Sequence, residues 1–363
     1  MATARPGSGR EHLAILARTP RPAGSAPERA ALEHVAAVLS DLGFAVRREP
    51  FAYSEFPGRY GLPIGGALIA ATVIATAALG LTGAPIAALA ALAFGAVLTG
   101  AFASTVMGDG VLTLPLLRAE SENLVATRGS ESPSVWLVAH VDSKSQPVPS
   151  LLRIAGVVAL VLALLLAMTA GALQLALLPH RMAWWIAVVA AVLGGMPVVA
   201  SVVGTHSDGA VDNASGVAAV LAAAGAVPPG VVFGVLVPSA EELGLAGARA
   251  WARSVPIATA INCDGVDDDG ALTIMYSGRR PQSLIDALRN VAAAPPRVRR
   301  MPLGLATDSV AFAERGWNAV TVSRGSFATL RRVHTSSDSL ATLRGDGIDD
   351  VALLLARAVE ALA

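Results

Sequence analysis

Val135-Trp-Leu-Val-Ala-His-Val-Asp-Ser143 drives an apolar, β-rich run straight into a histidine and, two positions later, an aspartate. Such a run, short and without helical caps, reads as a strand buried on both faces. Two further stretches repeat the arrangement. Val231 to Val237 (VVFGVLV) precedes the pair Glu241 and Glu242, and Ile257 to Cys263 (IATAINC) is followed at once by Asp264. In open α/β sheets, ligands collect in the crevice beyond the carboxyl ends of strands, so the three runs deliver polar groups to one rim. Strand patterns near Val46 to Tyr53 and Asn123 to Thr127 alternate with amphipathic stretches at Glu28 to Leu42, Leu284 to Ala293 and Asp349 to Leu362. The alternation predicts an α/β fold with a mixed sheet and helices on both faces, a three-layer α/β/α arrangement.

The residue types at the rim suit a divalent metal. Imidazole nitrogen and carboxylate oxygen bind zinc, and a catalytic zinc site keeps one position open for water. Two metals about 3.5–4 Å apart, sharing a carboxylate, stabilise both the attacking and the departing atom of a hydrolysis. A carboxylate that does not ligate is needed to accept the proton of the water. Glu241-Glu242 offers both roles, one side chain as base and its neighbour as ligand. Asp212 lies in Gly209-Ala210-Val211-Asp212-Asn213-Ala214-Ser215-Gly216, at the entrance of the apolar helical stretch Val217 to Ala224, and is the candidate bridge. Asp142 is placed to orient the His140 imidazole from behind.

VAHVDS (Val138 to Ser143), GAVDNASG (Gly209 to Gly216), PSAEELGLAGA (Pro238 to Ala248), NCDG (Asn262 to Gly265) and HTSSDS (His334 to Ser339) together resemble the aminopeptidase-Y-type family of di-zinc exopeptidases, clan MH. The resemblance implies two zinc ions: His140 and Asp264 on one, Glu242 and His334 on the other, Asp212 between them, and Glu241 as general base. Arg21 to Phe51 is similar to the family's first helix and strand, and TDSVAF (Thr307 to Phe312) to a segment near the substrate. Two positions depart from the family pattern. Ser309 stands where His or Tyr is frequent, and Val333 stands where some members carry a carbonyl-polarising Tyr, which leaves polarisation to a zinc or another donor.

Composition adds what those motifs lack. Of 363 residues, 54% are apolar and 15% charged, well under the roughly 25% charge of an average soluble domain, so part of the chain is expected in lipid. Gly61 to Gly108 holds no charged residue and is broken near its middle by Gly83-Ala84-Pro85. Each half is about the 20 residues that cross a hydrocarbon core. Ile154 to Leu178 and, after His180-Arg181, Ala183 to Val203 form a second pair. The expectation is two inserted transmembrane helical hairpins, four spans, with small residues at helix contacts and Trp184 and Trp185 as interfacial anchors. Residues 1–60, 109–150 and 206–363 then make up the peptidase domain, with hairpins at 61–108 and 151–205.

Hairpins return the chain to its starting side. Arg59, Arg118, Lys144 and Arg153 flank the spans there, against Arg181 opposite, which places the peptidase domain of a multi-pass cell-membrane protein in the cytoplasm. The second hairpin lies between His140 and Asp212, so the catalytic mouth is expected near the membrane surface, with peptides presented close to the bilayer as substrates. A single cysteine, Cys263, excludes an internal disulfide, and zero net charge gives no sign of nucleic-acid binding. His206 and Asp208 are read as loop residues, His180 as interfacial, Asp267 to Asp269 as a solvated turn, and Arg331 and Arg332 as surface or carboxylate-binding groups. Gly244-Leu245-Ala246-Gly247 is too short for a phosphate loop. The reading is a membrane-anchored zinc exopeptidase removing N-terminal residues from peptides; the alternatives are an amidohydrolase for a non-peptide amide and an inactive membrane scaffold.

Overall fold

The computed structural model describes residues 8–178, 180–302 and 304–363. The chain forms two units. One holds residues 8–53 together with Arg118–Ser145 and Gly204–Ala363, and the other holds Ser54–Leu117 and Gln146–Val203.

The first unit is built on eight strands: β1 (Ala45–Ser54), β2 (Arg118–Arg128), β3 (Val135–Val138), β4 (Phe233–Val237), β5 (Thr259–Val266), β6 (Ala271–Tyr276), β7 (Arg297–Arg300) and β8 (Asn318–Gly325). They form one mixed sheet in the order β1-β2-β4-β3-β5-β8-β6-β7. Its centre is parallel: Leu137 of β3 pairs with Val235 of β4 and Ile261 of β5, and Ile261 with Val320 of β8. β2 runs antiparallel to β4, and β6 antiparallel to β8.

Alternate residues of these strands face opposite layers, as the pleat requires. Val135 and Leu137, with Val235, Ile261 and Val320, join a core that includes Leu32 and Val35 of helix Ala26–Asp41, Val220 of helix Ser215–Ala226 and Leu355 of helix Ile348–Leu362. Trp136 and Val138 point the other way, to Trp251, Phe312 and Trp317. Gly234 on β4 lies under the Trp136 indole, where a Cβ would collide with the ring. The helix Ala26–Asp41 starts where the sequence signals it: the Ser25 hydroxyl accepts from the Glu28 amide at 3.3 Å, with proline in the first turn.

The second unit contains Leu62–Leu81, Pro85–Val106, Ser150–Leu175 and Arg181–Val199. These four helices are long and apolar enough to cross a membrane. Its interior is rich in small side chains, among them Ala77, Ala88, Ala163, Ala167, Ala187 and Ala191, which allow close backbone approach. Gly156 and Gly194 face each other so closely that a Cβ on Gly156 would meet the Gly194 carbonyl and the Pro197 ring. Trp184 is not an interfacial anchor. It is buried, and its indole N–H donates to the Gln174 Oε1 at 3.2 Å while the Gln174 amide donates to the Gly80 carbonyl at 2.9 Å. The chain thereby gives a buried polar tip the partner it needs. Trp185, its neighbour, remains exposed.

Two tests follow from this packing. Gly156→Val is expected to lower the thermal midpoint of the detergent-purified protein, a cost of about 1–3 kcal/mol for overpacking a tight contact; an unchanged midpoint would show that these helices do not pack here. In the first unit, His12 Nδ1 lies 3.1 Å from His34 Nε2, and burial, aided by the His34 charge, pushes the His12 imidazole down to about 4 from its ordinary 6.5. Because its folded pKa is depressed, the stability it contributes is complete above about 6.5 and is lost as pH falls towards about 4. Denaturant unfolding at pH 7 and 4.5 should show His12→Gln losing about 2 kcal/mol less than the parent on acidification.

Candidate metal centre

The four parallel strands β4, β3, β5 and β8 end along one edge, and the candidate residues gather there. His140 follows β3 by two residues, Asp264 lies within the last turn of pleat in β5, and Glu241 and Glu242 occupy the turn after β4. Asp212 precedes helix Ser215–Ala226, and His334 follows helix Phe327–Arg332 beyond β8. All six converge. Donor atoms of His140, Glu241 and Asp264 lie within 4.8 Å of one another, as do those of Asp212, Glu242 and His334.

Asp212 joins the two groups. Its Oδ1 is 3.2 Å from His140 Nε2 and its Oδ2 is 3.0 Å from His334 Nε2. His140 Nε2 also lies 3.8 Å from Asp264 Oδ1 and 4.0 Å from Glu241 Oε2, and His334 Nε2 lies 3.2 Å from Glu242 Oε1. Among the atoms of these six residues, His140 Nε2, Glu242 Oε1 and His334 Nδ1 are buried and make no hydrogen bond. Leaving such atoms without a hydrogen bond costs free energy that a cation would recover. Imidazole nitrogens and carboxylate oxygens in this proportion fit zinc.

The supports bind mostly backbone. Asp142 accepts from the Glu241 and Glu242 amides, each at 3.1 Å, one on each carboxylate oxygen. The His140 Nδ1 is 3.1 Å from the Asp142 carbonyl oxygen and 3.6 Å from its carboxylate, so the residue places the ring and the acidic pair together. Asp338 does the same for the Asp212 loop, accepting from the Val211 amide at 2.6 Å and the Asp212 amide at 3.2 Å. The Asp212–Asn213 peptide is cis. Asn213 donates to the Cys263 carbonyl at 2.9 Å and accepts from the Gly265 amide at 3.2 Å, tying that loop to the end of β5. Buried Arg21 donates to the carbonyls of Val141, Asp208 and Gly209 at 2.8, 2.7 and 3.0 Å, joining the loop after β3 to the loop before Asp212. Glu28 reaches the Ser239 hydroxyl beneath the acidic pair, and burial raises its carboxyl to about 8.

His334 holds a left-handed backbone at φ 66°, a conformation a non-glycine residue keeps only where its surroundings impose it. Those surroundings include Asp267 and Asp268. They are not a solvated turn: both are buried. Asp267 accepts from the Thr329 hydroxyl at 2.5 Å and pairs with Arg332, while Asp268 accepts from the Arg344 and Asp346 amides at 2.8 and 2.7 Å. They clamp the chain on either side of His334, and Arg332 is engaged in that clamp while Arg331 is exposed.

The electrostatics follow from burying several carboxylates together. Burial, reinforced by Glu242, Asp308 and Asp264 against the opposing His140, pushes the Glu241 carboxyl well up. Asp308, fully buried with neither carboxylate oxygen hydrogen-bonded, is raised to about 8, chiefly by burial. Lys144 brings a cation, its Nζ 2.8 Å from Glu242 Oε2. In the sequence Lys144 reads only as a charge beside a span. Asp338 and Arg21 lie inside quoted motifs yet carry no ligand signal of their own. His206 and Asp208 belong to the supporting loop, with the His206 amide donating to the Ser145 hydroxyl at 2.8 Å.

Residues 193–359 match Peptidase family M28. No curated protein matches the chain in sequence. In fold it is similar to the aminopeptidase from Aneurinibacillus sp. strain AM-1, at 16% identity and TM-score 0.57, covering 99% of this chain and 95% of that one. It is similar to a zinc aminopeptidase from Bacillus subtilis, at 14% identity and TM-score 0.54 over 98% and 95% of the two chains. The Porphyromonas gingivalis glutaminyl cyclase aligns at 16% identity and TM-score 0.55, over 98% and 99%.

Asp338 touches the Asp212 loop only through backbone amides, so Asp338→Asn should leave the fold intact and weaken zinc binding by about 10- to 100-fold. Competition with a chromophoric chelator measures this; unaltered affinity would mean that the Asp212 loop holds its shape without the aspartate.

Proposed function

We propose that the protein is a membrane-anchored, zinc-dependent exopeptidase, an aminopeptidase that removes N-terminal residues from peptides. The observation that carries the reading is the division of the Asp212 carboxylate between His140 and His334, with Glu241 beside the first imidazole and Glu242 beside the second. His140 and Asp264 would hold one zinc ion, Glu242 and His334 the other, and Asp212 both. Bound there, the two ions would supply Lewis acidity that polarises a substrate carbonyl and acidifies a water.

The chain supplies the rest. Glu241 accepts a proton as water oxygen bonds to the scissile carbonyl carbon, then gives that proton to the amine nitrogen as the carbon–nitrogen bond breaks. Its buried setting raises its proton affinity, the direction a proton-accepting carboxylate needs. Asp142 is a positioning residue that fixes the backbone of both glutamates and the His140 ring. The match to Peptidase family M28 and the zinc aminopeptidase fold neighbours support hydrolysis of the metallopeptidase type. The four long apolar helices support the membrane anchor, and the excess of Arg59, Arg118, Lys144 and Arg153 over Arg181 supports a cytoplasmic peptidase unit.

Hydrolysis of paired free and N-acetylated peptides by detergent-purified protein, with metal content measured alongside, tests the reading. Turnover of the free-amine peptides alone, about two zinc ions per chain, loss on chelation, and a fall of at least about 1,000-fold in kcat for Glu241→Gln with metal retained are the expected results. Metal without peptide turnover would redirect the assignment to another amide, and a chain with neither would be a scaffold.

A further inference from the structure

Lys144 distinguishes the two oxygens of Glu242. Its ammonium lies 2.8 Å from Oε2 and 3.3 Å from the Glu242 backbone carbonyl oxygen, so it grips the residue at both ends. The other oxygen, Oε1, is buried without a hydrogen bond and lies 3.2 Å from His334 Nε2. The Asp142 carboxylate fixes the Glu242 amide at 3.1 Å, so backbone and one carboxylate oxygen are both committed before any ion arrives.

Resting on the two-ion reading above, we propose that Lys144 is a positioning residue that restricts Glu242 to a single ligand oxygen and so preserves the open coordination place that hydrolysis needs. A carboxylate can ligate through one oxygen or chelate through two. Chelation by Glu242 would occupy the place a water takes in a catalytic site. The ammonium prevents this by two means: it occupies Oε2 with a short charge-assisted bond, and its like charge disfavours an ion drawn in on that side. A side chain that touches a ligand but no reacting atom acts through orientation, as outer-shell partners of metal ligands do. The sequence places it without room for drift, since Lys144 stands two residues after Asp142 and four after His140.

The probe is cobalt(II), loaded into the full-length detergent-purified protein after chelation. The intensity of its visible absorption falls as ligands are added to the coordination shell. Lys144→Met and Lys144→Ala should still bind cobalt, show a weaker visible band than the parent, and lose about 10- to 100-fold in kcat with KM little changed. Lys144→Arg, which keeps a cationic donor, should restore the band. A parental spectrum in cobalt-loaded Lys144→Met or Lys144→Ala would overturn the proposal alone. A parent chain that binds no cobalt would overturn the two-ion reading and this inference with it. Circular dichroism checks the fold of each variant; if the two neutral variants do not fold, a weakened band in Lys144→Arg with full cobalt occupancy counts against the proposal.

Discussion

The structure depends on holding the Asp212 carboxylate between two imidazoles in the company of several buried acids. Glu241, Glu242, Asp264 and Asp308 all lie largely out of water and act on one another's charge, and buried like charges repel strongly at low dielectric. A flexible framework would relax by moving them apart. The parallel block β4-β3-β5-β8 prevents that, because strand ends fixed by shared ladders cannot separate without breaking the sheet. Trp136, Trp251, Phe312 and Trp317 pack one face of that block, and the helices around Leu32, Val220 and Leu355 pack the other. Core burial therefore stabilises a rim that electrostatics alone would scatter.

The same rigidity explains how the first unit tolerates long apolar insertions. The segment Gln146–Val203 leaves and returns beside a backbone bridge, with the Ser145 amide donating to the Gly204 carbonyl at 2.9 Å and the Gly204 amide to the Ser145 carbonyl at 2.7 Å. Ser54–Leu117 likewise joins β1 and β2, which are neighbours in the sheet. Loop-closure entropy grows only logarithmically with length, so once such a neck is pinned, the residues beyond it add little further cost. Arg21 strengthens the Ser145–Gly204 neck from within the unit, since its backbone exchanges hydrogen bonds with Ser143 at 2.9 Å.

Much of this was legible in the sequence for a physical reason: a two-residue pleat sends apolar side chains to both faces, and the polar residue that ends each run falls at an edge. His140, Glu241, Glu242 and Asp264 could be located by that rule. Asp212 and His334 could not, since they sit in loops: Asp212 was marked by the helix entrance it precedes, and the role of each came from the resemblance of the surrounding motifs. What escaped was tertiary. Asp267 and Asp268 look like a hydrophilic turn because their amide and guanidinium partners lie some 60 to 80 positions later in the chain, at Arg332, Arg344 and Asp346. Trp184 looks like an interfacial residue because its hydrogen-bond partner, Gln174, lies on a different helix. Composition cannot register either pairing.

Three aspartates that are not among the candidate ligands share one device. Asp142 accepts from the amides of Glu241 and Glu242, Asp338 from those of Val211 and Asp212, and Asp268 from those of Arg344 and Asp346. Each carboxylate spends both oxygens on backbone N–H groups of a loop belonging to the centre. Charge-assisted bonds of this kind are stronger than neutral ones, and they make no demand on the loop's side chains. The consequence is a separation of tasks: anionic supports fix the path of the backbone, so that the carboxylates and imidazoles facing inward need not hold the loops in place. Glu242 Oε1 and His140 Nε2 can then remain buried without hydrogen bonds, a state that would collapse if those side chains were also needed as struts. The orphaned atoms at the centre are thus the counterpart of the saturated ones behind it.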